Sequence, residues 1–219
     1  MPPSTQRRSY DVSGRRAQAQ ANRERILEAA GELFVHRGYA GTAVADIAAA
    51  AAVSVPTVFS HFKSKALLIK ECVDSATVGD TGPLPLAERP EMIHVREGRT
   101  ARQVLGRLAT LIATVGPRVV PIYMAMYGAA DADPEIRLLA RTLDEQRLVG
   151  ATQLARIVVA RLGTDDEDLL AELRDVIWTM NSPQMFSLLV TQRGWPLERY
   201  ESWIRRTLMA AATSRTRAG

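Results

Sequence analysis

At 219 residues the chain is long enough for one large or two small domains, and 47% apolar against 24% charged residues excludes a disordered or fibrous class. Its single cysteine, Cys72, excludes an internal disulfide and a cysteine-rich metal site. The net charge of +4 is uneven: residues 1–70 carry ten Lys/Arg against five Asp/Glu, and residues 71–219 carry eighteen against nineteen. A basic first part beside a neutral remainder fits either a module that meets a polyanion or a solvated basic tail.

The start, "MPPSTQRRSY", lacks the apolar segment of a secretory leader. Pro117, Arg118 and Pro121 interrupt the best apolar stretch, around 104–130, so no clean membrane span is expected and the expected compartment is the cytoplasm. Residues 1–17 read as a flexible basic arm. From about Ala17 the period becomes helical, with Ile26, Ala30, Leu33 and Phe34 on one face. Gly38 suits a left-handed helix end, and Tyr39 behind it can contact Phe34. Thr42 is placed to cap a second short helix with Val44, Ile47, Ala48 and Ala51 inward, and Ser54 to cap a third running to about His61. Pro56 in the first turn of that third helix has no intrahelical donor to lose. Ser64 can cap a fourth helix, 64–78, through Leu67, Leu68 and Cys72.

"GDTGPLPLAERPE" then marks a linker, placed at 79–99. Helices are expected at 100–115 and 118–129, and a long one starts with Asp133 as cap and Pro134 in the first position. Gly163 ends it, and "TDDE", 164–167, reads as a capping box opening the next. Pro183 falls inside that helix and is expected to kink it. Gly194 closes it, and Pro196 begins a last helix with Tyr200, Trp203, Ile204 and Leu208 inside. With no sustained alternation of period two, the fold class is all-α, about nine helices, divided into an N-terminal unit at 18–63, the connecting helix and a C-terminal unit at 100–219.

Two short helices joined by a tight turn and packed on a longer one form a helix-turn-helix, whose second short helix presents its front end to a major groove. Val55 and Thr57 offer methyl groups to thymine, and Thr57 and Ser60 offer hydroxyls. His61, Lys63 and Lys65 gather positive donors just beyond. A solvated helical hairpin with Phe59 and Phe62 as core is the other reading of the same spacing.

The stretch "RERILEAAGELFVHRGYAGTAVADIAAAAAVSVPTVFSHFKSKALLI" resembles the DNA-binding domain of the TetR (tetracycline-repressor-like) family. The shared marks are Arg37-Gly38-Tyr39, Thr42, Asp46-Ile47-Ala48, Val53-Ser54, Thr57, Phe59, His61-Phe62 and Ser64-Lys65. "WTMNSPQMFSLLVTQRGWPLERYESWIRRTL" looks like the last two helices of many members. With the resemblance added, the expected DNA-contact set is Thr42, Ser54, Val55, Pro56, Thr57, Phe59, Ser60, His61, Lys63 and Lys65; Arg7, Arg8, Arg15 and Arg16 of the arm either enter a minor groove or track phosphates, with Arg15 and Arg16 counted in the set, or belong to a tail without function. Val55, Pro56, Thr57 and Ser60 would face bases, and Thr42 would hold a phosphate. Three positions depart from the family pattern: Phe59 stands where tyrosine is usual, Ala52 where glycine is usual, and Ala45 where arginine is frequent.

The same resemblance implies a repressor that binds a palindromic double-stranded DNA operator as a homodimer and is released by a small apolar or aromatic effector bound among the later helices. For the effector, Tyr123, Met124, Tyr127, Trp178, Asn181 and Met185 are the expected lining, though methionines and aromatics at this spacing also suit a core. For the dimer, Ile177, Phe186, Leu189, Trp203, Ile204 and Leu208 form the expected apolar face. No cofactor and no metal is called for. His36, His61 and His94 are widely separated, and neither an H-E-x-x-H pattern nor a phosphate loop occurs, so catalysis is not expected. An activator of the same family, and a helical interaction module that has lost specific DNA binding, remain open at this point.

Overall fold

The computed structural model describes residues 7–81 and 86–213, with side chains from Gly14 onward. Every described element is helical, as the periodicity implies: α1 (Arg7–Arg37), α2 (Val44–Ala50), α3 (Val55–Phe62), α4 (Lys65–Val78), α5 (Pro90–Arg96), α6 (Ala101–Tyr127), α7 (Pro134–Leu162), α8 (Glu167–Met180), α9 (Pro183–Phe186) and α10 (Leu197–Thr213). The chain divides into two compact units, Met1–Cys72 and Val73–Gly219, so the division falls inside α4.

In the first unit, α1 begins at Arg7, about ten residues before the helix expected from Ala17. Its added turns, residues 7–16, carry four arginines, good helix formers, and no proline, which outweighs the weaker Ser9, Ser13 and Gly14. Gln18 also bonds Asn22, and Gln20 bonds Glu24, one turn on. Residues 1–6 of the expected arm lie outside the described residues. Ile26, Ala30 and Phe34 are buried, as are Ile47 and Ala48 of the next helix, Val58 and Phe62 of α3, and Leu68 and Ile69 of α4, whereas Leu33 is only half-buried. Gly38, at φ +71°, ends α1, and the Tyr39 ring stacks on Phe34 at 5.7 Å. Ser64 Oγ accepts from Leu67 N at 3.1 Å and caps α4 as expected.

Thr42 does not cap α2. Its side chain is buried, and its hydroxyl turns back to the carbonyls of Leu33 and Gly38 at 3.1 and 2.8 Å. Gly38 O lies beyond the end of α1 and has no helical donor, and Leu33 O lies in its last turns with a second lone pair to offer. The N-cap of α2 is Ala43, with no side-chain hydrogen bond.

In the second unit α6 is one helix where two were expected. Pro117 and Pro121 each remove an N–H from its ladder. Neighbours on several sides hold it together: α10, α7, α5 and α9 all pack on it, and Val119, Val120, Ile122, Tyr123 and Met126 are buried around the proline pair. Unbroken, α6 is long and apolar enough to cross a membrane, contrary to the expectation drawn from its prolines. Half of its apolar window, however, is buried inside the chain, as in the core helix of a globular unit.

The segment expected as linker contains α5, anchored where Arg89 makes a two-pronged pair with Asp80 at 2.7 Å on each prong. Asp133 caps α7 through Glu135 N and Ile136 N, and Gly163 (φ +73°) and Gly194 (φ +65°) take left-handed ends. For α8 the cap is Asp166, accepting from Leu169 N at 2.9 Å, rather than Thr164. Pro183 does not kink a continuous helix. The helix stops at Met180, Ser182 caps a fresh start through Met185 N, and Pro183 opens α9. A π-helical stretch, Ser187–Gln192, follows. The merged α6, the added α5 and the separate α9 account for ten α-helices among the described residues where about nine were expected.

Four of the residues expected at a dimer face are interior to one chain. Ile177, Phe186, Ile204 and Leu208 are at most 5% exposed and cannot meet a second copy. Their stripes pack α9 and α10 on α6, and α8 on α7 and α10, instead. Leu189 and Trp203 are half-buried and keep part of their surface.

Candidate functional site

The axes of α2 and α3 bend by 104° across a four-residue break, inside the range of a helix-turn-helix. Ala51 N and Ala52 N close back on the carbonyls of Ile47 and Ala49, and Val53 N on that of Ala48. This turn forces Ala52 to φ +52°, the left-handed conformation that glycine adopts without penalty. The turn geometry is thus kept with alanine, under strain.

Ser54 starts α3. Its Oγ accepts from Thr57 N at 3.2 Å and lies 2.7 Å from Thr57 Oγ1. With Pro56 in the first turn, the helix front is preorganised by one cap and one fixed φ. Val58 and Phe62 face inward, while Pro56, Phe59, Ser60 and Lys63 are exposed and Val55, Thr57 and His61 half-buried. The exposed stripe therefore holds the residues expected to meet DNA. Ser60 already spends its hydroxyl proton on Thr57 O at 2.8 Å, so its oxygen is left with acceptor capacity toward solvent. Phe59, 45% exposed, offers a ring and no donor. Lys63 closes α3 at φ +57° with its side chain in solvent. The Lys65 ammonium instead lies 4.1 Å above the Tyr39 ring, a cation–π contact. Arg15 and Arg16 are exposed on the early turns of α1. Thr42 is too buried to hold a phosphate. Ala45 and Ala49 leave the outer face of α2 as methyl groups.

Arg23 escaped the sequence reading. It donates to Glu71 Oε2 at 2.6 Å and stands 5.1 Å from the Phe62 ring centre. Partners so far along the chain leave no periodic signal.

The second unit brings together some of the residues expected around an effector and leaves others out. The rings of Tyr123 and Tyr127 lie 5.7 Å apart on α6. Tyr127 Oη donates to Asp144 Oδ1 at 2.7 Å, and Arg147 Nη1 reaches the same oxygen at 2.7 Å. Arg147 Nη2 donates to Trp178 O at 2.9 Å, and Trp178 Nε1 donates to Asp144 O at 3.2 Å. The guanidinium stands 5.6 Å from the Trp178 ring, and Arg147 Nε is buried without a hydrogen-bond partner. Burial pushes the Tyr123 phenol up to about 12. Burial and then the bond to Asp144 push Tyr127 up as well. Both phenols stay neutral near pH 7, and the Asp144–Arg147 pair cancels its own charge. Met124 and Asn181 are exposed outside this cluster, and Met185 is half-buried in α9. Asp144 and Arg147 were not foreseen; their spacing on α7 suits a surface pair, and only α6 and α8 packing against it reveals the cluster.

The N-terminal architecture matches the family described as "Bacterial regulatory proteins, tetR family" over residues 26–72. The chain is 32% identical over 171 residues to the HTH-type transcriptional regulator TcmR of Streptomyces glaucescens, covering 76% of this chain and 71% of that protein. Among solved structures, a TetR-family regulator from a Rhodococcus species overlays with a TM-score of 0.65 at 18% identity, over 88% of this chain and 99% of that one. A transcriptional regulator from Saccharomonospora viridis, solved in complex with choline, overlays with a TM-score of 0.59 at 23% identity, over 85% and 95%. With a helix-turn-helix of the right angle at its front and a relative of this identity over most of both chains, the protein belongs to the TetR family of DNA-binding transcriptional regulators and is not an enzyme.

Proposed function

We propose that the protein is a cytoplasmic repressor that binds a palindromic operator as a homodimer and is released by a small, predominantly aromatic effector. The observation that carries the DNA reading is the exposed stripe of α3, held out by a capped first turn. Val55, Pro56, Thr57 and Ser60 face bases in the major groove, and Phe59, His61 and Lys63 lie along the backbone. A two-fold dimer sets its recognition helices roughly 34–36 Å apart, one turn of duplex. Leu189 and Trp203 belong to the dimer surface.

For the effector, Tyr123, Tyr127 and Trp178 supply aromatic surface, while Asp144 and Arg147 hold the rings in place and offer polar atoms. The choline bound to the Saccharomonospora protein supports small organic molecules as effectors on this fold. Because α4 runs through the division between the two units, an effector that favours one position of α4 changes the spacing of the recognition helices. Tenfold release requires about 1.4 kcal/mol of differential affinity between the two states.

The test is selection of bound fragments from sheared genomic DNA, repeated with Thr57→Ala and Lys63→Ala. A recovered palindrome whose preference relaxes with Thr57→Ala, and whose affinity falls evenly across sequences with Lys63→Ala, supports the reading. No enrichment by folded wild-type dimer at low salt would sink it in favour of a protein-interaction module, for which salt dependence is shallow.

A further inference from the structure

The recognition helix α3 has eight residues, about two turns, and a helix so short takes its orientation from what grips it. Its inward side chains are Val58 and Phe62, and Phe62 is its last residue, 4% exposed. Directly after Phe62 the chain reverses through Lys63 at φ +57° and enters α4. The end of α3 is therefore fixed by whatever holds the Phe62 ring.

Arg23 of α1 holds it. Its guanidinium lies 5.1 Å from the ring centre while donating to Glu71 Oε2 of α4 at 2.6 Å. A planar guanidinium can offer its face to a ring and its edge to a carboxylate simultaneously, which a lysine ammonium does less well. The ion pair aims the guanidinium, and the guanidinium pins the ring. We infer that Arg23 is a positioning residue for DNA recognition, fixing the C-terminal end of α3 to α4 through Phe62 and Glu71 without touching DNA. This rests on α3 being the helix that reads the operator. Glu71 is the second-last residue of the first unit, and α4 continues into the second. The Arg23–Glu71 pair is thus the point at which a displacement of α4 reaches α3.

The rival role for Arg23, 29% exposed at its side chain, is an ordinary phosphate contact. The two roles give opposite signs at Glu71. If Arg23 binds phosphate, Glu71→Gln frees it and removes a repelling carboxylate, so DNA binding tightens. If Arg23 positions α3, Glu71→Gln lets the guanidinium drift and DNA binding weakens.

The experiment uses the full-length protein and a fluorescein-labelled duplex carrying the palindrome recovered by selection, with anisotropy read over a roughly fourfold range of salt. Glu71→Gln and Arg23→Met are each expected to weaken binding by about tenfold, or about 1.4 kcal/mol. Arg23→Lys should recover part of the loss. The slope of log affinity against log salt should not change, because neither variant alters the number of phosphates the protein neutralises. Tighter binding by Glu71→Gln overturns the inference, and so does a salt slope that Arg23→Met makes shallower by about one per half-site. Amide hydrogen exchange on the free protein gives a second readout that needs no operator. Both variants should lose protection at Val58–Phe62 while the middle of α1 keeps its own. Unchanged protection at the end of α3 refutes the positioning role even if the DNA reading stands. Failure to recover any palindrome, with protection lost as expected, refutes the DNA reading alone.

Discussion

Replacing Ala52 by glycine isolates the strain in the helix-turn-helix. Ala52 sits at φ +52° with its methyl group exposed, so the substitution removes no buried surface. An L-residue in the left-handed region costs about 1–2 kcal/mol. Glycine gains that back but loses about 0.5–1 kcal/mol through the greater freedom of its unfolded chain. The difference is a net stabilisation of about 0–1.5 kcal/mol, centred on ~0.7 kcal/mol. In urea unfolding this should appear as a higher midpoint with an unchanged slope, because the surface exposed on unfolding is the same. Operator affinity should also be unchanged, since the turn already has the geometry that glycine prefers. Ala52→Val provides the opposite sign. A β-branched residue is a true outlier at positive φ and should destabilise by about 1 kcal/mol or more. A lower midpoint for Ala52→Gly would refute the reasoning, since it would mean that the methyl group contributes more than the backbone strain costs.

Phe59→Tyr places a phenol on an exposed ring at the edge of α3, and one new phosphate hydrogen bond per half-site, at about 0.5–1.5 kcal/mol each, should tighten operator binding measured by anisotropy. Gly116→Ala drives a methyl group to 2.3 Å from Phe186 Cε2, so α6 and α9 must separate, and thermal unfolding should show a loss of about 1–3 kcal/mol. Asp144→Ala strands Arg147, whose side chain is 12% exposed, and the Tyr127 hydroxyl; urea unfolding should show a loss of about 3 kcal/mol. Burial, with Glu71 adding to it, pushes the Cys72 thiol from 9.0 up to about 12. The unfolded chain therefore ionises first: stability from this group is complete below pH 9.0 and drains away toward pH 12, by about 1.4 kcal/mol per unit. Urea midpoints at about pH 8 and about pH 10 should diverge between wild type and Cys72→Ala by that slope, and equal shifts in the two proteins would count against it.

The parts of this protein that were legible in the sequence are local. Gly38, Gly163, Gly194, Ser54, Ser64 and Asp133 act within one turn of their own position, and the structure has each where its chemistry puts it. The helix-turn-helix belongs to the same class, because its break, cap and proline occupy a few consecutive residues. Thr42 shows the limit of such reasoning. A threonine before a helix has N–H groups ahead of it and carbonyls behind it within reach, and the carbonyls won.

Tertiary structure decided what depends on distant partners. Pro117 and Pro121 read as helix breakers because the sequence shows only the lost N–H groups, not the neighbours that hold α6 together as one helix. Apolar stripes on α8 and α10 look the same whether they meet a second chain or their own core, and burial assigned Ile177, Phe186, Ile204 and Leu208 to the core. Arg23 with Phe62 and Glu71, and Asp144 and Arg147 with Tyr127 and Trp178, join residues from three helices each. A one-dimensional pattern fixes which face of a helix is apolar; which charged side chain finds which carboxylate or ring follows only from how the helices pack.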